Sequence, residues 1–261
     1  MMEKFKLIVI LGATAVGKTA LSLSLAKKLS TEIISGDSML VYKGFDIGAA
    51  KPNKTELAEV KHHLIDILPP NAKYNVMDFC AEAKKIIENL NNVGKIPILA
   101  GGTGLYIKSL IEGYEFSEDK TKSTKSYFSK NGELVYDTFV IGLRRERGAL
   151  YERINKRVEM MAKDGLFEEV ENLLKYTDKT SQSMQGIGYK EIVSYLNNEI
   201  SKADAIENIK KNTRHFAKRQ FTWYKKMPYI VWYDIDNLSE DEIFEKVYFD
   251  VMRRFSSSAQ I

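Results

Sequence analysis

Apolar and polar positions fall into blocks along this chain, and the blocks change character midway. Phe5–Leu11 is an almost unbroken apolar run, the pattern of a strand covered on both faces. Ala20–Leu29 then has helical spacing, Glu32–Ser35 reads as a second strand, and His63–Leu68 as a third, stopped by Pro69-Pro70. Asn75 is placed to cap a helix that runs to about Asn92, with Asp78 in its first turn. Ile96–Ala100 is a further buried strand, and Gly101-Gly102-Thr103-Gly104 turns it into a helix over Leu105–Ile111. After a strand at Asp137–Leu143 the chain turns helical. Leu150, Ile154, Val158 and Met161 line one face of Glu146–Ala162, and Phe167–Leu174 and Tyr189–Leu196 follow. A long helix from about Asp204 to Lys226 ends before Pro228, and Val231–Asp234 is a last strand. Strands alternating with helices predict an α/β fold: a parallel sheet flanked by helices, with a helical C-terminal part. The expected divisions are a core over 1–116, a polar loop or loose hairpin over 117–136, and the rest of the core with the C-terminal helices over 137–261.

The first strand leads into Gly12-Ala13-Thr14-Ala15-Val16-Gly17-Lys18-Thr19, which is G-x-x-x-x-G-K-T between a strand and a helix. That context defines a phosphate-binding P-loop. The glycines let backbone N–H groups turn toward an anion, and the helix start adds its positive dipole end. Lys18 is a mobile cation, and the Thr19 hydroxyl is placed to hold Mg²⁺. The loop therefore binds a diphosphate or a nucleotide such as ATP, without specifying which. In a parallel sheet, ligands sit beyond the carboxyl ends of the strands. The P-loop, Ser35–Ser38 and Gly101–Gly104 all follow strands, so they should meet at one crevice.

Asp37 stands at a strand end beside that crevice, as a water-mediated Mg²⁺ ligand or a general base. Thr103, flanked by glycines, is a hydroxyl that a ligand can approach closely, or a helix cap. Arg153 and Arg157 lie one turn apart; one of them grips a phosphate if that face meets the crevice, and otherwise both belong to a surface helix. His62-His63 has no companion cluster at metal spacing, so zinc is not expected.

A 44% apolar share supplies a substantial core, and the net charge of +4 permits a nucleic-acid partner without requiring one. The distribution says more than the total. Between Lys210 and Lys226 stand Lys210, Lys211, Arg214, Lys218, Arg219, Lys225 and Lys226 without one acid. Ile206, Ile209, Thr213, Phe216, Gln220 and Trp223 form a packing seam on the same helix, with Lys211, Arg214, Lys218 and Lys225 on another face. An uninterrupted cationic face favours a phosphate backbone as partner. The single Cys80 excludes an internal disulfide, fits a reducing compartment and reads as core filler. The N-terminal apolar run is too short to span a membrane and is expected to be a core strand, not a signal peptide.

Further blocks join these: Asp37-Ser38-Met39-Leu40-Val41-Tyr42-Lys43-Gly44-Phe45-Asp46-Ile47-Gly48-Ala49-Ala50-Lys51-Pro52, His62–Asp66, Gly101–Tyr106, Leu150–Ile154 with Arg157, Gly186-Ile187-Gly188-Tyr189-Lys190-Glu191 and Thr213–Trp223. In this order, over nearly the whole chain, they resemble the tRNA dimethylallyltransferases. The resemblance implies that the P-loop, residues Gly12, Ala13, Thr14, Ala15, Val16, Gly17, Lys18 and Thr19, holds the diphosphate of dimethylallyl diphosphate. The acceptor it implies is N6 of an adenosine beside the anticodon, in the anticodon stem-loop of tRNA. By matching position, Asp37 accepts the N6 proton, Thr103 contacts the diphosphate, and Lys18 and Arg157, with Mg²⁺ held partly by Thr19, stabilise the leaving group. Asp37, Ser38, Met39, Leu40, Gly188, Tyr189, Lys190, Lys211, Arg214, Lys218 and Arg219 are the implied RNA contacts. A cytoplasmic monomer is expected.

The chain departs from that family's pattern at three places. Leu40 stands where the family usually has a base-reading Gln. Ala13 and Ala50 replace the usual Pro and Thr. A helical insertion that normally clasps the anticodon stem is missing, with only Ser117–Asn131 in its place. That loss keeps open an AMP dimethylallyltransferase, beside a small-molecule P-loop kinase and a non-catalytic RNA-binding relic. The basic Thr213–Trp223 block opposes the AMP reading, and intact Lys18, Asp37, Thr103 and Arg157 oppose the relic.

Overall fold

The computed structural model describes residues 4–115, 125–126 and 133–256. Its centre is a six-stranded, all-parallel sheet in the order β3-β2-β4-β1-β7-β8. The strands are β1 (Lys6–Gly12), β2 (Ile33–Ser35), β3 (His62–His63), β4 (Ile98–Gly101), β7 (Asp137–Arg144) and β8 (Ile230–Asp234). The apolar run around Ile8 forms the middle strand, because only a strand flanked on both edges and both faces can bury so continuous a sequence.

Helices fill the crossovers. α1 (Lys18–Lys28) follows the P-loop, and α2 (Lys54–Glu59) precedes β3. α3 (Val76–Asn92) is capped by Asn75, whose side chain accepts from Met77 and Asp78 N–H while Asp78 returns a bond to Asn75 N–H. α4 (Gly104–Ile111) leads to a two-stranded antiparallel ribbon, β5 (Tyr114–Glu115) with β6 (Lys125–Ser126). The rest of the loop or hairpin expected at 117–131 lies outside the described residues. Beyond β7 come α5 (Arg147–Lys163), α6 (Leu166–Leu173), α7 (Tyr189–Leu196) and α8 (Lys202–Tyr224), and α9 (Glu240–Ser256) follows β8.

The structure corrects the sequence reading at several elements. The third strand shrinks to His62–His63, because Leu64 and Asp66 adopt positive φ and turn the chain away from the sheet. The strand therefore consists of His62 and His63 alone among the residues expected in or next to it. His63 Nε2 lies 2.7 Å from Glu32 Oε2, and His62 Nδ1 lies 2.8 Å from the Val60 carbonyl. α2, capped by Asn53, was not anticipated. Nor was α9, although Ile243, Val247, Val251 and Phe255 are buried at helical spacing and Ser239 and Glu242 exchange capping bonds.

Side chains alternate across the sheet into two cores. Leu7, Val9 and Leu11 point into one with α3, α4, α6 and α7; Ile8 and Ile10 point into the other with α1 and α9. Cys80 is buried in the first core, and desolvation lifts its thiol to about 11, which suits core filler. The strand ends are drawn together by small residues. Gly101 abuts the Gly36 backbone so closely that an added Cβ would overlap it. Gly101→Ala is therefore expected to destabilise the fold by roughly 1–3 kcal/mol, read as a lower urea midpoint at unchanged m-value.

Candidate active site

The carboxyl ends of β1, β2 and β4 carry the P-loop, Asp37 and the Gly101–Gly104 turn, and these segments do converge. Two cavities meet there. One, of about 290 Å³, is lined by Lys18, Thr19, Ala50, His62, Gly101 and Arg153 among others. The second, of about 420 Å³, is lined by Ser38, Met39, Thr103, Gly188, Lys190, Phe216 and Arg219 among others. Thr14, Asp37, Ala49 and Arg157 line both, so these four residues form a waist between two chambers.

The waist concentrates charge away from water. Desolvation lowers Lys18 to about 8, with Asp37 opposing the shift and Arg157 reinforcing it. Burial likewise raises Asp37 above the ordinary aspartate range, against the pull of the Met39 N–H, Lys18 and Arg157. Asp37 Oδ1 accepts from Met39 N–H at 2.8 Å, which fixes the carboxylate's direction. Burial also lowers Arg157, whose Nη2 donates to Thr14 Oγ1 at 2.5 Å. The Nε of Arg157 is buried with no hydrogen-bond partner among the described residues. A buried, unpaired guanidinium donor calls for an anionic acceptor. Arg153 lies over the same loop and donates to the Ala15 carbonyl at 3.1 Å. The α5 face that carries both arginines therefore meets the P-loop.

Within the P-loop the structure separates two jobs. Thr14, Ala15, Gly17, Lys18 and Thr19 line the first cavity. Gly12, Ala13 and Val16 shape the loop and do not face that cavity. Gly12 has φ 151°, and a Cβ there would lie 2.6 Å from the Leu143 carbonyl oxygen. Ala13 and Val16 are buried in the second core, and Val16 N–H donates to the Ala13 carbonyl. The Thr14 N–H, expected to face an anion, instead donates to Gln220 Oε1 at 2.9 Å. Lys18 Nζ rests on the Gly12 and Ala13 carbonyls, each at 3.0 Å. The Thr19 hydroxyl adds one hard oxygen donor to this chamber, and among the described residues no cluster of three or more His, Cys, Asp or Glu could hold a metal. That donor set fits Mg²⁺, which takes few protein ligands and shares the rest with phosphate and water.

Thr103 Oγ1 accepts from Ser38 N–H at 3.0 Å, and Thr103 N–H donates to the Gly36 carbonyl at 3.1 Å. Thr103 thereby ties the turn after β4 to the segment carrying Asp37.

The 46–50 loop, another wall of the waist, is hung from a residue the sequence reading missed. Glu169 on α6 accepts from the N–H groups of Asp46, Ile47 and Gly48 and from the Tyr189 hydroxyl. Lys51, with a side chain 4% exposed, binds Asp46, Asp66 and the Tyr42 carbonyl from the other end. No local pattern marks Glu169, because the three N–H groups it accepts from lie 121 to 123 residues away in the chain. Gln220, taken as part of a packing seam, carried a faint signal as an amide inside an apolar stripe.

The other expected RNA contacts divide. Ser38, Met39, Gly188, Lys190 and Arg219 line the second chamber. Tyr189 does not: it is 1% exposed, packed on Phe45 and bonded to Glu169, so it supports the loop from beneath. Leu40 lies off both chambers and accepts from Asp66 N–H through its carbonyl. Lys218 sits on the opposite side of α8, over a separate hollow shared with α5. Lys211 is exposed, and Arg214 donates to Asn155 Oδ1 at 2.6 Å. Among the described residues Lys211, Arg214, Lys218, Arg219 and Lys225 form no ion pair, whereas Lys210 pairs with Glu159 and Glu207. Trp223, expected in the seam, is 40% exposed and lies over Gly104. No helix among the described residues is long and apolar enough to cross a membrane.

A parallel sheet with a P-loop at its centre and a half-buried carboxylate beside it defines an α/β phosphate-binding protein. The model of the IPP transferase family matches residues 40–133 and 115–227, and the chain belongs to that family. It is 39% identical to a tRNA dimethylallyltransferase of Macrococcus caseolyticus, covering 97% of this chain and 98% of that one. It is 41% identical to one from Carboxydothermus hydrogenoformans, covering 93% and 96%. A solved tRNA isopentenylpyrophosphate transferase from Staphylococcus epidermidis superimposes with a TM-score of 0.87 at 38% identity, over 96% of this chain and all of that one. A eukaryotic dimethylallyltransferase acting on tRNA superimposes with a TM-score of 0.84 at 25% identity, over 97% and 80%. The Macrococcus alignment runs over 305 positions against the 261 residues here, so that relative carries residues this chain lacks. The two family matches overlap at 115–133, the stretch where the expected insertion is missing.

If Glu169 suspends the 46–50 loop, Glu169→Ala frees three backbone donors at once. Amide hydrogen exchange at Ile47 and Gly48 is then expected to accelerate while α3 and α8 keep their protection.

Proposed function

We propose that this chain transfers a dimethylallyl group from dimethylallyl diphosphate to N6 of an adenosine next to the anticodon of tRNA, releasing diphosphate. The observation that carries this reading is the waist, where the Asp37 carboxylate and the Arg157 guanidinium face both chambers, with Lys18 beside them in the first. One chamber is built for an anion, with Lys18, Thr19, Arg153 and the Nε of Arg157 around it. The other is larger, opens beside Phe216 and Arg219, and suits a flipped adenine followed by its RNA strand.

In this reading the lone pair of N6 forms a bond to C1 of the prenyl group as the C1–O bond breaks. The bonding electrons leave with the diphosphate, and the N6 proton passes to Asp37. An allylic diphosphate ionises readily once its departing charge is neutralised, and fixed cations in a desolvated site do this without reorganisation. Lys18 and Arg157 supply that charge, and Thr103, on the wall of the second chamber, ties the turn after β4 to the segment bearing Asp37. Mg²⁺, held by the Thr19 hydroxyl and the diphosphate itself, would add to the neutralisation. The raised Asp37 brings the base closer to the pH at which it must take up a proton.

Lys211, Arg214, Lys218, Arg219 and Lys225 of α8, which form no ion pair among the described residues, suit a phosphate backbone crossing that helix, whereas Lys210 is paired with Glu159 and Glu207. Incubation with Mg²⁺, labelled dimethylallyl diphosphate and either unmodified tRNA or AMP tests the acceptor. Label in tRNA supports the proposal, and label in AMP alone replaces it with transfer to a free nucleotide.

Asp37→Asn keeps an acceptor for the Met39 N–H but removes the base. It is expected to lower turnover by roughly 10²–10⁴-fold, with tRNA affinity near wild type. For the unmodified enzyme kcat/KM is expected to be bell-shaped. It rises as Asp37 ionises, above the ordinary aspartate range, and falls as pH passes about 8 and Lys18 loses its proton. Lys18→Arg should move the alkaline limb upward, because a guanidinium stays charged there. Replacing Lys218 and Arg219 together by Ala should weaken tRNA binding and flatten the dependence of log K on log salt by about 2, one per lost phosphate contact.

A further inference from the structure

Gln220 bonds both to the phosphate cradle and to the turn bearing Thr103. It is 5% exposed, near the C-terminal end of α8. Its Oε1 accepts from Thr14 N–H at 2.9 Å, and its Nε2 donates to the Gly102 carbonyl at 2.8 Å. The Tyr224 hydroxyl, one turn further on, donates to the same carbonyl at 2.9 Å. A Cβ on Gly102 would lie 2.6 Å from Nε2, so the turn approaches the amide as closely as glycine allows.

What lies at each end of that amide gives it meaning. Beyond Thr14 is the Arg157 guanidinium, bonded to the Thr14 hydroxyl. Beyond Gly102 is Thr103, bonded to Ser38 N–H and to the Gly36 carbonyl, on either side of Asp37. The connection therefore runs Arg157, Thr14, Gln220, Gly102, Thr103, Asp37. One end grips the leaving group and the other bears the base. We propose that Gln220 is a positioning residue that sets the distance between the leaving-group cradle and the base for prenyl transfer. The proposal rests on the function above and adds a part to it. Gln220 touches neither reacting group, and it fits because an amide offers one acceptor and one donor in a rigid plane. A carboxylate offers two acceptors, and an aliphatic side chain offers neither.

That difference supplies the test. Gln220→Met removes both bonds at similar size. A misplacement near 1 Å costs up to about 10²-fold in rate, so kcat should fall by roughly 10–100-fold with the KM values for donor and tRNA near wild type. In Gln220→Glu the ionised carboxylate can still accept from Thr14 but faces the Gly102 carbonyl with another lone pair. Once protonated it again has one donor and one acceptor, and burial favours that form. Its kcat relative to wild type should therefore climb as pH is lowered from about 8 to about 6, while the Gln220→Met ratio stays flat. A purely packing role would leave both ratios flat.

Hydrogen exchange at the Thr14 amide, measured on the full chain without substrates, reads the contact apart from the reaction. It should be slow in wild type and fast in Gln220→Met, with α5 protection unchanged. A Gln220→Met enzyme with wild-type kcat, or a pH-independent Gln220→Glu ratio in a protein of normal melting temperature, overturns the proposal. If wild type transfers no prenyl group to tRNA or AMP, the proposed function fails, and the Thr14 exchange result still decides whether Gln220 fixes the cradle.

Discussion

The site depends on keeping one carboxylate and two cations together where there is little water. An isolated buried charge costs several kcal/mol, and even a paired one is repaid only with good geometry and further hydrogen bonds. Here Asp37 is held by the Met39 N–H, Lys18 by two loop carbonyls and Arg157 by Thr14. No two of the three are drawn into a direct ion pair among the described contacts, although each shifts the others electrostatically. Charges held apart in this way remain available to a substrate, whereas a closed ion pair would neutralise itself.

That arrangement explains why the waist is assembled from so many parts of the chain. The parallel sheet brings three strand ends together, with glycines at 36 and 101 allowing their backbones to touch. Strand ends alone would leave the intervening loops free to drift. Glu169 and Lys51 suspend the 46–50 loop from both sides, and Gln220 joins the P-loop to the turn after β4. In each case a single polar side chain on a helix or loop satisfies backbone groups that would otherwise be stranded. The C-terminal helices thus act as a frame for loops belonging to the N-terminal half.

The two sides of α8 show how one helix serves two purposes. Its buried side holds Gln220 and Tyr224 against Gly102, and its outer side presents cations that no carboxylate answers among the described residues.

Much of this was legible in the sequence. The apolar run before the P-loop, the capped α3 and the glycine-rich turn have local causes, so strand, helix and anion cradle could be read from neighbouring residues alone. The spacing of Ile243, Val247, Val251 and Phe255 likewise encodes α9. What the sequence left open were facts that depend on residues far apart in the chain. Arg157 rather than Arg153 reached the Thr14 hydroxyl and buried its Nε, Tyr189 turned inward, the Thr14 N–H found Gln220 206 residues away, and Glu169 took three N–H groups more than 120 residues distant. Local pattern fixes which faces are apolar, but only the packed fold decides which polar group meets which, because a hydrogen bond requires a partner at the right distance and angle.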